Sequence, residues 1–180
     1  MFYEKTLSST RIFEGKVFSV RKDTVELENG TLAFREVIEH SGGVGILAVG
    51  AEGHIFLVRQ FRYGVGRESL EIPAGKLEPG ENPFACAQRE LEEETGYVAG
   101  HWDSLGTMDS TPAYDSEVIH LYLARDLRPT SQRLDAGEFL SVEPFSMDKL
   151  LELCLNGGLT DAKTLVAVLK YQTMRAGGQI

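Results

Sequence analysis

At 180 residues with 42% hydrophobic content, the chain is long enough to bury one proper core, with room for an appended arm. Its net charge of −9 excludes general binding to nucleic acid or to an anionic membrane surface by electrostatics. The longest apolar run, residues 44–49, is far too short to cross a bilayer, and Cys86 and Cys154 lack metal-ligand spacing, so buried or free thiols in a reducing cytoplasm are expected.

The first forty residues read as strands. Apolar stretches alternate from Arg11 to His40, and Asn29-Gly30 supplies a hairpin turn. Phe2, Tyr3, Phe13, Phe18 and Phe34 crowd this segment, and two packings are open for them: rings on the outer face of an arm, or rings in the core. Residues 44–49 and 54–60 form a second hairpin around Ala51-Glu52-Gly53. A short strand at 69–72 leads into Pro73-Ala74-Gly75. Asn82 then serves as a helix N-cap, with Pro83 at the first helical position, where a missing N–H costs nothing. Gly96 stops that helix, and Phe84, Cys86, Ala87 and Leu91 give it an apolar face. Beyond it, 102–108, 117–124 and 138–145 read as strands. Residues 146–155 and 161–174 read as amphipathic helices, separated by Asn156-Gly157-Gly158. Mixed strands with a few helices give an α/β sandwich.

Residues 75–97, GKLEPGENPFACAQRELEEETGY, carry the chemistry. Glu90, Glu92, Glu93 and Glu94 fall within five positions. A helix does not gain from that density, since carboxylates four residues apart repel by a few tenths of a kcal/mol. At about 100° per residue, Glu90, Glu93 and Glu94 share one arc of about 100° while Glu92 points away. Three carboxylates on one face suit a hard divalent cation, which takes oxygen ligands. A solvated Glu-rich face is the bland alternative, and it explains neither the placed glycines nor the Arg89-Glu90 pair.

Gly75, Glu81, Arg89, Glu90, Glu93, Glu94 and Gly96, with Leu91 hydrophobic, match the Nudix box in residue type and spacing. The chain therefore resembles the Nudix hydrolase superfamily, departing only at Tyr97, where an aliphatic residue is usual. The resemblance implies an α/β/α sandwich with a mixed sheet over residues 41–180, and an N-terminal β arm, residues 1–40, that dimerises. It implies Mg²⁺, with Mn²⁺ as a substitute, held by Glu90, Glu94, Glu93 and the backbone carbonyl of Ala74. Glu93 either joins the ligands or orients a water. Arg89 is expected to hold the carboxylates, and Glu81 to be structural.

Outside the box, Gln60-Phe61-Arg62, the string Glu71-Ile72-Pro73-Ala74-Gly75, Pro112 fifteen residues past Tyr97, and Thr160-Asp161-Ala162-Lys163-Thr164 resemble the ADP-ribose pyrophosphatase branch. Carried over, the resemblance puts Arg62 on a phosphate, Arg35 against adenine across a dimer interface, and Glu71 on the base or a ribose hydroxyl. Pro112 is the mark of ADP-ribose hydrolysers. Phe13 or Phe18 completes the base sandwich. Glu138 is the best match to the general base, with Asp115 and Glu117 as rivals.

The expected activity is Mg²⁺-dependent hydrolysis of ADP-ribose to AMP and ribose 5-phosphate by a cytoplasmic homodimer, with no nucleic-acid or membrane partner. A GDP-sugar, another nucleotide sugar or a dinucleotide is the alternative substrate. A nucleotide sensor without turnover is the alternative of another class. His40, His54, His101 and His120 share no zinc-binding spacing, and neither a Gly-x-Ser-x-Gly elbow nor a P-loop is present. Serine and cysteine nucleophiles are therefore disfavoured.

Overall fold

Alternating β-branched and aromatic residues, punctuated by turn formers, set the first part of the chain. The computed structural model describes residues 2–180 and divides into two compact units, residues 2–42 with 109–118 and residues 43–108 with 119–180.

In the first unit, β1 (Lys5–Glu14), β2 (Ser19–Glu26) and β3 (Leu32–Glu39) form an antiparallel sheet in the order β1-β2-β3. The Asn29-Gly30 turn joins β2 to β3 as its sequence implies. Leu27 N–H donates to the Thr31 carbonyl at 2.9 Å, and Asn29 Oδ1 accepts from both Thr31 N–H and its hydroxyl. β1 is exposed along its whole length, and its pairing with β2 shifts register between Thr6 and Ser8 and between Arg11 and Phe13. Phe2, Tyr3, Phe13, Phe18 and Phe34 all lie at the surface, which decides between their two packings. Residues 109–118 join this unit through Ile38, whose N–H donates to the Tyr114 carbonyl at 2.8 Å and whose carbonyl accepts from Ser116 at 3.0 Å.

The second unit is built on a mixed sheet running β10-β5-β4-β9-β8. Its strands are β4 (Gly43–Val49), β5 (Ile55–Arg62), β6 (Arg67–Glu71), β7 (Ala74–Lys76), β8 (Tyr97–Asp109), β9 (Val118–Pro129) and β10 (Leu140–Phe145). β6 pairs with β5 and β7 with β4. β4 is buried at every residue, as a central strand packed on both faces must be. It runs parallel to β9, with Val44 opposite His120, and antiparallel to β5 and β7. The predicted hairpin of β4 and β5 forms, but only Ala48↔Phe56 and Val49↔Ile55 pair. β7 occupies the rest of that edge. β8 starts five residues before the expected strand and β9 ends five residues after it.

Alternation along β4 sends its side chains to two separate cores. Val44, Ile46 and Ala48 pack with Cys86, Ala87 and Leu91 of α1 (Pro83–Thr95). Leu47 and Val49 pack on the other side with Met147 and Leu150 of α2 (Met147–Asn156), and with Ala167, Val168 and Tyr171 of α3 (Ala162–Ala176). Helices on both faces of a mixed sheet make this an α/β/α sandwich.

Three N-caps and one C-terminal glycine fix the helices. Asn82 Oδ1 accepts from the N–H groups of Phe84 and Ala85 at the start of α1, and Pro83 follows as the sequence predicts. Gly96 ends α1 in the left-handed region at φ 69° and returns its N–H to the Glu92 carbonyl. Ser146 caps α2 and Asp161 caps α3. Because α1 is pinned at both ends and by the buried Leu91, the direction in which its glutamates point is set by the fold.

Candidate active site

The acidic face of α1 lies over the short strand β7. Gly75, in β7, is needed there because the Glu90 carboxyl group rests directly on it: a methyl group at residue 75 would fall 1.9 Å from the Glu90 carboxyl carbon. Glu94, the most buried of the acids, accepts a hydrogen bond from Ala74 N–H at 2.9 Å. The amide of Ala74, rather than its carbonyl, therefore makes the contact to α1.

Arg89 organises the rest of this face. Its guanidinium reaches Glu81 with Nε and Nη2, both at 3.1 Å, Glu90 at 2.7 Å and Glu93 at 2.9 Å. Each nitrogen of the fork thus donates to a carboxylate, and Nη2 reaches Cys86 Sγ as well at 3.4 Å, so Arg89 holds the acids and ties Glu81 to them. Glu92 points away and pairs with Arg133 at 3.2 Å. Among the described residues, no three acidic, histidine or cysteine side chains already stand in metal-holding geometry. The sequence expectation of three carboxylates converging is met in placement but not in contact, because Arg89 draws Glu90 and Glu93 to itself while Glu94 turns to Ala74.

Charge decides what the face can accept. Burial pushes the Glu94 carboxyl up to about 8; the bond from Ala74 opposes this, and the carboxylates of Glu138 and Glu90 add to it. Burial likewise raises Glu90; Arg89 opposes it, and Glu93 and Glu138 reinforce it. Glu81, by contrast, is lowered by its hydrogen bond from Arg89. Cys86, beneath the same turn, is raised to about 12 by burial and by the neighbouring Glu81 and Glu90. Glu90, Glu94 and Glu138 thus repel one another in a partly desolvated place. An all-oxygen donor set short of positive charge fits a hard divalent cation.

Glu138 reaches this group from the loop before β10. It is half-buried, and its Oε2 accepts from Asp135 N–H at 3.3 Å. That loop, residues 135–139, lines a cleft of about 500 Å³ with Gln60 and Phe61 of β5. Asp115 and Glu117, the rival bases, lie in the first unit. Glu117 accepts from the Ser110 hydroxyl at 2.6 Å and lies 3.2 Å from His40 Nδ1, while Asp115 Oδ1 accepts from Glu117 N–H.

A second ionic node lies where β5, β6 and α3 meet. Arg62 donates a two-pronged hydrogen bond to Glu71, at 2.8 and 2.7 Å. Lys163 adds its Nζ to Glu71 Oε2 at 2.5 Å and to Asp161 Oδ1 at 2.9 Å. Burial alone would raise Glu71; the Arg62 fork and the Lys163 charge overcome it and hold the group at about 2. Arg62, Tyr63, Arg67, Thr160 and Lys163 line a cleft of about 570 Å³ beside this pair. Both oxygens of Glu71 accept within the chain, Oε1 from Arg62 and Oε2 from Arg62 and Lys163.

Of the expected substrate contacts, the structure brings Arg62 and Glu71 together. Arg35 sits on β3 in the first unit, where its Nε donates to Glu4 at 2.8 Å. Pro112 lies exposed on the turn closed by Tyr114 N–H and the Thr111 carbonyl in that same unit. Lys163 is the residue that sequence reasoning passed over. Its string was noted for resemblance alone; the signal available was a lysine in the first turn of a helix, two residues past its cap, where a cation is disfavoured.

Residues 39–166 match the model of the NUDIX domain. The chain belongs to the Nudix hydrolase family. Residues 4–38 of this Nudix chain match a second model, the nucleoside diphosphate sugar hydrolase N-terminal domain. ADP-ribose pyrophosphatase of Bacillus subtilis (strain 168) is 41% identical to it over 96% of this chain and 95% of that protein. A methanol dehydrogenase activator of Bacillus methanolicus is 38% identical over 98% and 96% of the two chains. A crystal structure of an ADP compounds hydrolase superposes with a TM-score of 0.85, covering 98% of this chain and 97% of that one at 23% identity. This last likeness establishes the shared fold. Among the described residues, no helix is long and apolar enough to cross a membrane.

Proposed function

We propose that this Nudix chain hydrolyses the diphosphate bridge of ADP-ribose, or of a closely related nucleoside diphosphate sugar, to a nucleoside monophosphate and a sugar phosphate. The observation that carries this reading is the cation-poor set Glu90, Glu94 and Glu138, in a chain 41% identical to a protein named ADP-ribose pyrophosphatase. Glu90, Glu94 and Glu93, with the carbonyl of Ala74, would hold magnesium, and manganese would serve in its place. When bound, the cation offsets charge on phosphoryl oxygens and lowers the pKa of water.

The protein's own groups do the remaining work. Arg62 offers a planar fork that suits a phosphate as well as it suits Glu71. Arg89, saturated by three carboxylates, keeps the acidic face in shape and does not bind substrate. Glu138, on a loop beside the acidic face, accepts a proton from the attacking water. With ADP-ribose the products are AMP and ribose 5-phosphate.

Residues 1–40 act, on this reading, as the arm of a homodimer, with Arg35 placed against adenine and Phe13 or Phe18 on its other face. The support is the row of exposed rings on and beside β1. Pro112 belongs to the substrate-binding turn by its match to the family pattern. Two free cysteines agree with a cytoplasmic site of action.

The decisive assay incubates the purified protein with ADP-ribose, with and without Mg²⁺, and follows AMP by chromatography. AMP formed only with the cation is the expected result. No AMP with any divalent ion overturns the reading, and tight ADP-ribose binding without turnover would make the domain a sensor instead. Gel filtration returning only monomer would remove the dimer arm.

A further inference from the structure

Lys163 occupies a position that α3 itself disfavours. Asp161 is the N-cap, so Lys163 is the second residue of the helix, where the macrodipole opposes a cation. Its side chain is only 11% exposed, and desolvation opposes an ammonium there as well. The helix gains nothing from this placement. Its reason lies in what Nζ meets, Glu71 and Asp161.

Glu71 has two cationic partners, and they differ in freedom. Lys163 is nearly buried at the wall of the cleft and tied to Asp161, which is itself fixed as the cap by accepting from Thr164 N–H and its hydroxyl. Arg62 is 43% exposed and opens onto the 570 Å³ cleft. Were Arg62 the sole counter-ion, its departure would strand a carboxylate that is 3% exposed, and an uncompensated buried charge is strongly destabilising. With Lys163 in place, Arg62 can leave and Glu71 remains neutralised.

We propose that Lys163 is a positioning residue, the standing counter-ion of Glu71 that frees Arg62 to exchange this carboxylate for a substrate phosphate. This rests on the diphosphate reading of the site. Lys163 acts only through Arg62 and does not touch substrate. Without it, Glu71 competes with the phosphate for the one remaining guanidinium.

The test compares the wild type with Lys163→Met, Glu71→Gln and the double variant. Two readouts are taken: the calorimetric Kd of ADP on metal-free protein, and KM and kcat for ADP-ribose with Mg²⁺. Lys163→Met is expected to raise Kd and KM about tenfold with kcat nearly unchanged, a coupling of the size seen within one ionic network. Neutralising the carboxylate should restore binding, so the double variant should match Glu71→Gln alone. Unaltered Kd and KM in Lys163→Met, or a double variant still about tenfold weaker than Glu71→Gln, overturns the proposal. Should Lys163→Met fail to fold, the comparison of Glu71→Gln with the double variant decides it. The expected ADP pattern without any wild-type turnover would sink the hydrolase reading and leave the role of Lys163 standing. Turnover in the wild type without the pattern does the reverse, and a wild type that neither binds ADP nor turns over sinks both.

Discussion

The two ionic nodes of the second unit are built from the same residue types in opposite proportion. On α1, one arginine serves Glu81, Glu90 and Glu93, and Glu94 has only a backbone N–H. Beside β6, Arg62 and Lys163 face Glu71 and Asp161 in equal number. The first node is short of positive charge, and Glu90 and Glu94 rise; the second is supplied, and Glu71 falls to about 2. Burial is similar for Glu94 and Glu71, at 2% exposure each, so solvation does not explain the contrast. The count of cations does. One node is disposed to take up a cation, and the other can lend a guanidinium to an anion.

Breaking the first node at Glu138 should give the largest effect. Glu138→Gln is expected to lower kcat by about 10²–10⁴-fold, the usual worth of a placed general base. Isothermal titration with Mn²⁺ should show metal binding nearly unchanged, whereas Glu94→Gln should lose kcat and metal affinity together. Near-normal turnover in Glu138→Gln would move the base to Asp115 or Glu117.

The second node is sharpened by acid. Glu71 is depressed in the folded chain, so its contribution is present above about pH 4.5 and fades as pH falls toward 2. That contribution is on the order of 3 kcal/mol. Urea unfolding of wild type and Glu71→Gln should therefore differ near neutral pH and converge in acid. A constant gap across the range would mean that Glu71 is not the group titrating.

A smaller effect is expected from Arg89→Met. Loss of the charged hydrogen bonds from Arg89 to Glu90 and Glu93 should lower stability by about 2 kcal/mol in metal-free protein. Added Mg²⁺ should raise the Tm of this variant more than that of the wild type. An equal rise in both would remove the claim that Arg89 and the cation neutralise the same acids. Smallest of all, Asn82→Ala should cost about 1 kcal/mol through the lost cap, read as a shift of the urea midpoint. No shift would mean that the placement of α1 does not depend on its cap.

What the residues disclosed in advance was local. Asn82, Pro83 and Gly96 bounded α1 because caps act within a turn, and the buried run of β4 was legible as a short apolar stretch. β7 was not foreseen: three residues behind a proline carry no periodicity, and their strand character comes from the edge of β4. The outer lengths of β8 and β9, residues 97–101 and 125–129, escaped for a related reason: none of these residues is buried, they show no clean alternation, and sheet pairing holds them. At the site, Gly75 was recognisable from the box, but its cause, the Glu90 carboxyl lying on it, needed the fold. Glu71 and Lys163 stand 92 positions apart, and no local pattern announces such a partnership.

Cys86 has a practical consequence. On the buried face of α1, with its proton retained to about 12, it offers no thiolate at ordinary pH. Alkylating reagents and peroxides, which attack the ionised sulfur, should therefore pass this position by. The inner face of the acidic helix, where this sulfur is wholly buried, thus gives thiol-directed reagents no foothold.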